Sequence, residues 1–80
     1  MSEGKLVTLQ KMRSGQSGRI VRIEGGWGLE RRLNAMGVRP GKPITKLSSM
    51  LMRGPVTAQV DNTKLAIGFG MANRIIIELP

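Results

Sequence analysis

Eighty residues hold one core and so one domain, spanning 1–80, because a second independent core needs on the order of 100 residues more. The chain has neither cysteine nor histidine, which excludes a disulfide framework, thiolate metal sites and the usual general base. Thirteen Lys and Arg against five acids give a net charge of +8, a balance suited to an acidic protein partner, an anionic membrane surface or nucleic acid.

Gly and Pro punctuate the chain about every ten residues, with short β-branched runs between them, the pattern of an all-β barrel or sandwich. The first candidate strand runs from Gly18 to Glu24. Its apolar pair Ile20 and Ile23 is spaced by three, which a regular strand would send to opposite faces, so either a bulge or a strand covered on both sides is expected. Gly25, Gly26 and Gly28 follow. No Gly-Lys-Ser/Thr accompanies them, so they read as a tight strand-to-helix turn and not as a phosphate cradle.

One α-helix is expected over Gly28 to Met36. Leu29, Leu33 and Met36 fall at i, i+4 and i+7 and share a face, whereas Glu30, Arg31, Arg32 and Asn34 occupy the others. Gly37 is the left-handed residue that ends it, Val38 covers the last turn, and Pro40 forbids continuation. Arg39-Pro40-Gly41-Lys42 has type II turn chemistry and leads into a strand in which Ile44 and Leu47 repeat the three-residue spacing. Strong strand curvature, as in a small closed barrel, follows from both spacings.

Met50, Leu51 and Met52 lie between a serine pair and Arg53-Gly54-Pro55, a stretch with loop punctuation. From Pro55 to Asp61 the apolar Val56, Ala58 and Val60 alternate with Thr57, Gln59 and Asp61, the signature of a half-buried strand. Asp61-Asn62 tolerates positive φ and makes a tight hairpin to a return strand that carries Leu65 and Ile67 inward. Gly68 and Gly70 read as turn residues around Phe69, with Met71 just after. Arg74 to Leu79 closes the chain as a strand with Ile75, Ile77 and Leu79 on one face and Ile76 between two charges on the other.

Chemistry is sparse. None of Glu3, Glu24, Glu30, Asp61 and Glu78 is spaced i, i+3 or i+4 from another, so neither a carboxylate catalytic pair nor an all-oxygen metal cage is indicated, and the chain is not read as an enzyme. No cofactor is expected, because the chain lacks His and Cys, the usual ligands of borderline metals. The longest apolar runs, such as Met50 to Met52 and Ile75 to Ile77, are far below the 18 or so residues that span a membrane. The N-terminus has no signal-peptide pattern, so a cytoplasmic protein without membrane insertion is expected. The segment from Lys11 to Arg53 holds ten bases and two acids, and the whole net charge lies within it. The methionines of the 50–52 stretch either form an adaptable contact surface or plug an end of the barrel, and Trp27 is either the main core plug or an interface anchor.

The string Gly15-x-x-Gly18-x-Ile20-x-x-Ile23-x-Gly25-Gly26, then Leu29-x-x-Arg32-Leu33-x-x-Met36-Gly37-Val38-x-Pro40-Gly41, then Gly54-Pro55-Val56 and Leu65-Ala66-Ile67 to Ala72-x-x-Ile75, resembles the FeoA family of ferrous iron transport accessory proteins. The resemblance covers nearly the whole chain. It implies a mainly β fold, a small SH3-like β-barrel of five to six strands with one inserted α-helix at about residues 28–36. It also implies a cytoplasmic role in iron homeostasis through contact with FeoB, a transporter with a cytosolic GTPase domain that carries Fe²⁺ inward. Two contact surfaces are expected. One is Trp27 with Arg31 and Arg32 on the exposed side of the helix, the other the loop carrying Met50, Met52 and Arg53; Phe69 and Met71 join either. A homo-oligomer through open strand edges is a further partner option. The alternative reading is a small basic nucleic-acid-binding barrel, RNA-binding or ribosome-associated. It is disfavoured because two aromatics are too few for a base-stacking platform.

Overall fold

In the computed structural model, which describes residues 4–49 and 54–80, the alternating run is a strand, β4 (Val56–Val60), with Val56, Ala58 and Val60 buried. Ahead of it in the chain come β1 (Lys5–Thr8), a 3₁₀ turn (Leu9–Lys11), β2 (Ser17–Ile23), the helix α1 (Trp27–Ala35) and β3 (Pro43–Ser49). After it come β5 (Thr63–Ile67), a short helix α2 (Phe69–Ala72) and β6 (Ile75–Leu79). The six strands form one antiparallel sheet in the order β1-β6-β2-β3-β4-β5, so β1 and β5 are its edges.

Both three-residue spacings mark bulges. On β2, Ile20 lies opposite Ile77 and Ile23 opposite Ile75, so three steps on one strand answer two on the other, with the register shifting between Ile20 and Arg22. The extra residue keeps Ile20 and Ile23 on the core face. On β3 the register against β4 shifts between Lys46 and Ser48. Here Ile44 and Lys46 are the buried pair and Leu47 is half-buried. Bulges bend and twist the strands that carry them, and the sheet accordingly curls round one cluster. That cluster draws on Ile20, Ile23, Ile44, Val56, Ala58, Val60, Ile67, Ile75 and Ile77 from the strands. Leu9, Met12, Leu33, Val38 and Ala72 complete it from the turns and helices.

The helix α1 begins and ends one residue earlier than the spacing predicts. The Glu30 N–H donates to the Gly26 carbonyl at 3.1 Å, which makes Trp27 the first helical residue. At the other end Met36, at φ −89° and ψ 0°, is already outside. Gly37 then turns left-handed at φ 95°. Its N–H donates to the Asn34 carbonyl at 3.0 Å, and the Val38 N–H donates to the Leu33 carbonyl at 2.9 Å. These are the two bonds of a Schellman cap, and Val38 is fully buried beneath it. The type II turn follows, with Gly41 at φ 92° and the Lys42 N–H on the Arg39 carbonyl.

At the β4–β5 hairpin Val60 pairs with Thr63, and of the two loop residues only Asp61 has positive φ, at 56°. The segment before β6 is helical where a turn is expected, because the Ala72 N–H donates to the Gly68 carbonyl and the Asn73 N–H to the Phe69 carbonyl. Lys46 is the one buried charged side chain among the described residues. Its Nζ donates to the Gln10 carbonyl at 2.8 Å and the Met12 carbonyl at 2.5 Å. The chain after the 3₁₀ turn is thereby tied to β3, an attachment completed by the Gly15 N–H on the Lys46 carbonyl and the Lys46 N–H on the Gln16 carbonyl. Desolvation by burial holds the Lys46 ammonium below its ordinary pKa.

Candidate partner-binding surface

Between β2 and α1 the chain must turn sharply within three residues. The Glu24 N–H donates to the Arg74 carbonyl at 2.7 Å, which fastens the end of β2 to the start of β6. Gly25, at φ 142°, then passes so close to Leu29 that a Cβ there would lie 2.6 Å from its Cδ2 and 2.9 Å from Arg74 Cδ. Only glycine fits that passage, and the tightness of the turn fixes where the helix starts.

Leu33 is fully buried, and Leu29 and Met36 pack against the core from the same side. At about 100° per residue, Trp27 and Arg31 then point away from the core, and Arg32 lies about 100° round the axis from Arg31. Trp27 is 71% exposed, so it is not a core plug. The Arg31 guanidinium carbon sits 4.8 Å from the centre of its ring, a cation–π contact between two exposed side chains. The result is an exposed indole with a positive charge beside it, an arrangement that can seat an apolar side chain flanked by a carboxylate.

Trp27 and Arg31 are thus brought together, and Arg32 stands exposed on the flank of the helix. Phe69 and Met71 lie on α2, both half-buried. Met71 packs against the core cluster, and α2 itself lies against the 3₁₀ turn. Arg74, just beyond α2, lies beside Gly25 in the turn before α1. Met50, Met52 and Arg53 fall outside the described residues. Sequence reasoning missed a groove along β1, where Lys5, Lys11, Arg13 and Arg22 converge. The charge count located three of these, but Lys5 joins them only through the pairing of β1 with β6, for which a four-residue strand gives no periodic signal.

Among the described residues no group of three or more His, Cys, Asp or Glu side chains is placed to hold a metal ion. No helix among them is long and apolar enough to cross a membrane.

A solved structure described as an iron uptake regulatory protein, FeoA, shares 36% identity and a TM-score of 0.86, covering 92% of this chain and 97% of that one. The Stenotrophomonas maltophilia FeoA, solved with zinc, is described as a prokaryotic SH3-domain protein and candidate activating factor for ferrous iron transport. It matches at 20% identity and a TM-score of 0.76, over 89% of this chain and 88% of that one. At that identity it speaks for the SH3-like fold alone, and the zinc is a property of that protein; the donor set here, without His or Cys, does not fit one. A manganese-dependent transcriptional repressor superimposes at a TM-score of 0.88 and 17% identity, over all of this chain but 45% of its own. No curated protein matches the sequence. The model of the FeoA domain matches residues 7–79, nearly the whole curled sheet and both helices, and the chain belongs to the FeoA family.

Proposed function

We propose that this protein is a cytoplasmic accessory factor of ferrous iron uptake, acting by contact with the cytosolic GTPase domain of a FeoB-type transporter and not by catalysis. The observation that carries the reading is the FeoA-domain match over residues 7–79. The exposed Trp27 and Arg31 pair supports it, because a solvent-facing Trp is costly to leave uncovered and Trp and Arg are among the residues that dominate protein interfaces. Iron is the transporter's cargo, and this chain's part is to bind a protein. A basic patch meeting the GTPase domain would speed encounter and make the affinity fall with salt.

The test is a ¹⁵N-NMR titration of the full chain with that GTPase domain, with and without a GTP analogue, and with duplex RNA as control. Shifts centred on Trp27, Gly28 and Arg31 are expected. Reversing Arg31 and Arg32 to Glu is expected to weaken binding by roughly tenfold, and Trp27→Ala to do so by at least as much. Both variants should keep the dispersed spectrum of a folded protein, since all three side chains are exposed. Silence from the GTPase domain together with salt-sensitive shifts from RNA would replace this reading with a nucleic-acid one.

A further inference from the structure

β1 pairs with β6 alone among the described residues, so one side of its backbone has no strand neighbour. An open groove of about 840 Å³ borders the strand: all four β1 residues line it with Lys11 and Arg13, and it extends across Ile76 of β6 to Arg22 and Glu24 at the end of β2. Glu24 is already held by Arg22 at 2.9 Å. Lys5, Lys11 and Arg13 have no acidic partner among the described residues, so the groove is a concave site with three uncompensated positive charges. Leu6, opposite Glu78 in the register, is 51% exposed on the same face as Thr8 and Ile76.

We infer that the open edge of β1 is a docking site for an extended acidic segment of a partner protein, which pairs with β1 as a seventh strand and sets its carboxylates against Lys5, Lys11 and Arg13. Each feature of the groove asks for a different part of such a ligand. The edge needs a backbone that both donates and accepts, the cations need carboxylates, and the exposed Leu6 needs an apolar side chain beside it. Nucleic acid answers the charge, but its phosphates only accept hydrogen bonds and leave the strand's carbonyls unmatched. A second copy of this chain answers the backbone, but edge-to-edge pairing would bring the same three cations face to face. Protection of the edge against aggregation needs a charge on the strand, which Lys5 supplies. It does not account for Lys11 and Arg13, which lie beyond the strand and line the groove. This site is separate from the Trp27 surface and does not depend on the identity of the partner that surface meets.

The experiment is a ¹⁵N-NMR titration of the full chain with a short synthetic peptide of alternating glutamate and valine. The same peptide with alternate backbone nitrogens methylated, and duplex RNA, are run in parallel. Expected are shifts over Lys5 to Thr8 and Lys11 to Arg13, slowed amide exchange along β1, and roughly tenfold weaker binding both by the methylated peptide and by the K11E/R13E variant. Equal binding of the methylated peptide would reduce the site to charge attraction and overturn the proposal. So would unchanged affinity in the variant, shifts centred on α1, or shifts along β1 from RNA and none from the peptide. Should K11E/R13E lose its dispersed spectrum, the methylated peptide decides the matter on the unaltered protein.

Discussion

Lys46 is where a single side chain has most influence on this molecule. It occupies an inward position of β3, two residues after the buried Ile44, and so has the core parity that its chemistry argues against. The Gln10 and Met12 carbonyls reconcile the two by accepting from its ammonium. Lys46→Met fills similar space but strips both carbonyls of their donor, and is expected to cost about 1–3 kcal/mol at neutral pH, read from urea midpoints. The pH dependence has a definite sign. Burial lowers the Lys46 pKa below the ordinary 10.5. Between the lowered value and 10.5 the unfolded chain therefore holds more protons than the folded one, and stability rises with pH through that window. Lys46→Met lacks this contribution, so the gap between the two proteins should widen from neutral pH towards 10.5. Parallel curves would mean that the ammonium is as well solvated in the folded protein as in the unfolded one.

At the level of elements, α1 is held at both ends by the backbone and in the middle by one side chain. Leu33 is fully buried, and Leu33→Ala is expected to cost about 2–5 kcal/mol. Gly37→Ala forces a Cβ into a left-handed conformation and should cost about 1–2 kcal/mol, with Gly37→Asn losing less because Asn tolerates that region. Equal urea midpoints for the Ala and Asn variants would show that the cap does not depend on backbone conformation at Gly37. Much of this was legible in the sequence. The Gly37-Val38-x-Pro40-Gly41 register specifies a cap and a turn through backbone chemistry that few other arrangements satisfy, and the Ile20 to Ile23 spacing announces its bulge. The short elements were not legible. α2 spans four residues, barely one helical turn, so no 3.6-residue period can develop. β1 is equally short and is recognisable only by what it pairs with. Of the candidate site, Trp27 with Arg31 could be placed on a common face, but whether the indole faced inward or outward depended on Leu29, Leu33 and Met36 sufficing to cover the core without it. That question belongs to packing volume and not to spacing.

For the molecule as a whole, the decisive quantity is charge. Its extents are 34 × 28 × 23 Å, and thirteen cations against five acids share that volume. Three ion pairs are present among the described residues, Arg19 with Glu78, Arg22 with Glu24 and Lys42 with Asp61, all on the surface. Exposed pairs of this kind contribute about 0–1 kcal/mol each and weaken with salt. The remaining cations repel one another. At about 0.01 M salt the Debye length is roughly 30 Å, so nearly every pair of charges in the molecule is felt, whereas at about 0.15 M it is roughly 8 Å and only neighbours interact. Unfolding relieves the repulsion by spreading the charges apart, so screening them should favour the folded state more than losing three surface pairs disfavours it. Thermal melts are therefore expected to show Tm rising between those two sodium chloride concentrations, while affinity for any acidic partner falls over the same range. A Tm that fell instead would show that the surface pairs outweigh the repulsion. In that case the basic side chains would serve the stability of the fold, and their availability to a partner would have to be argued residue by residue.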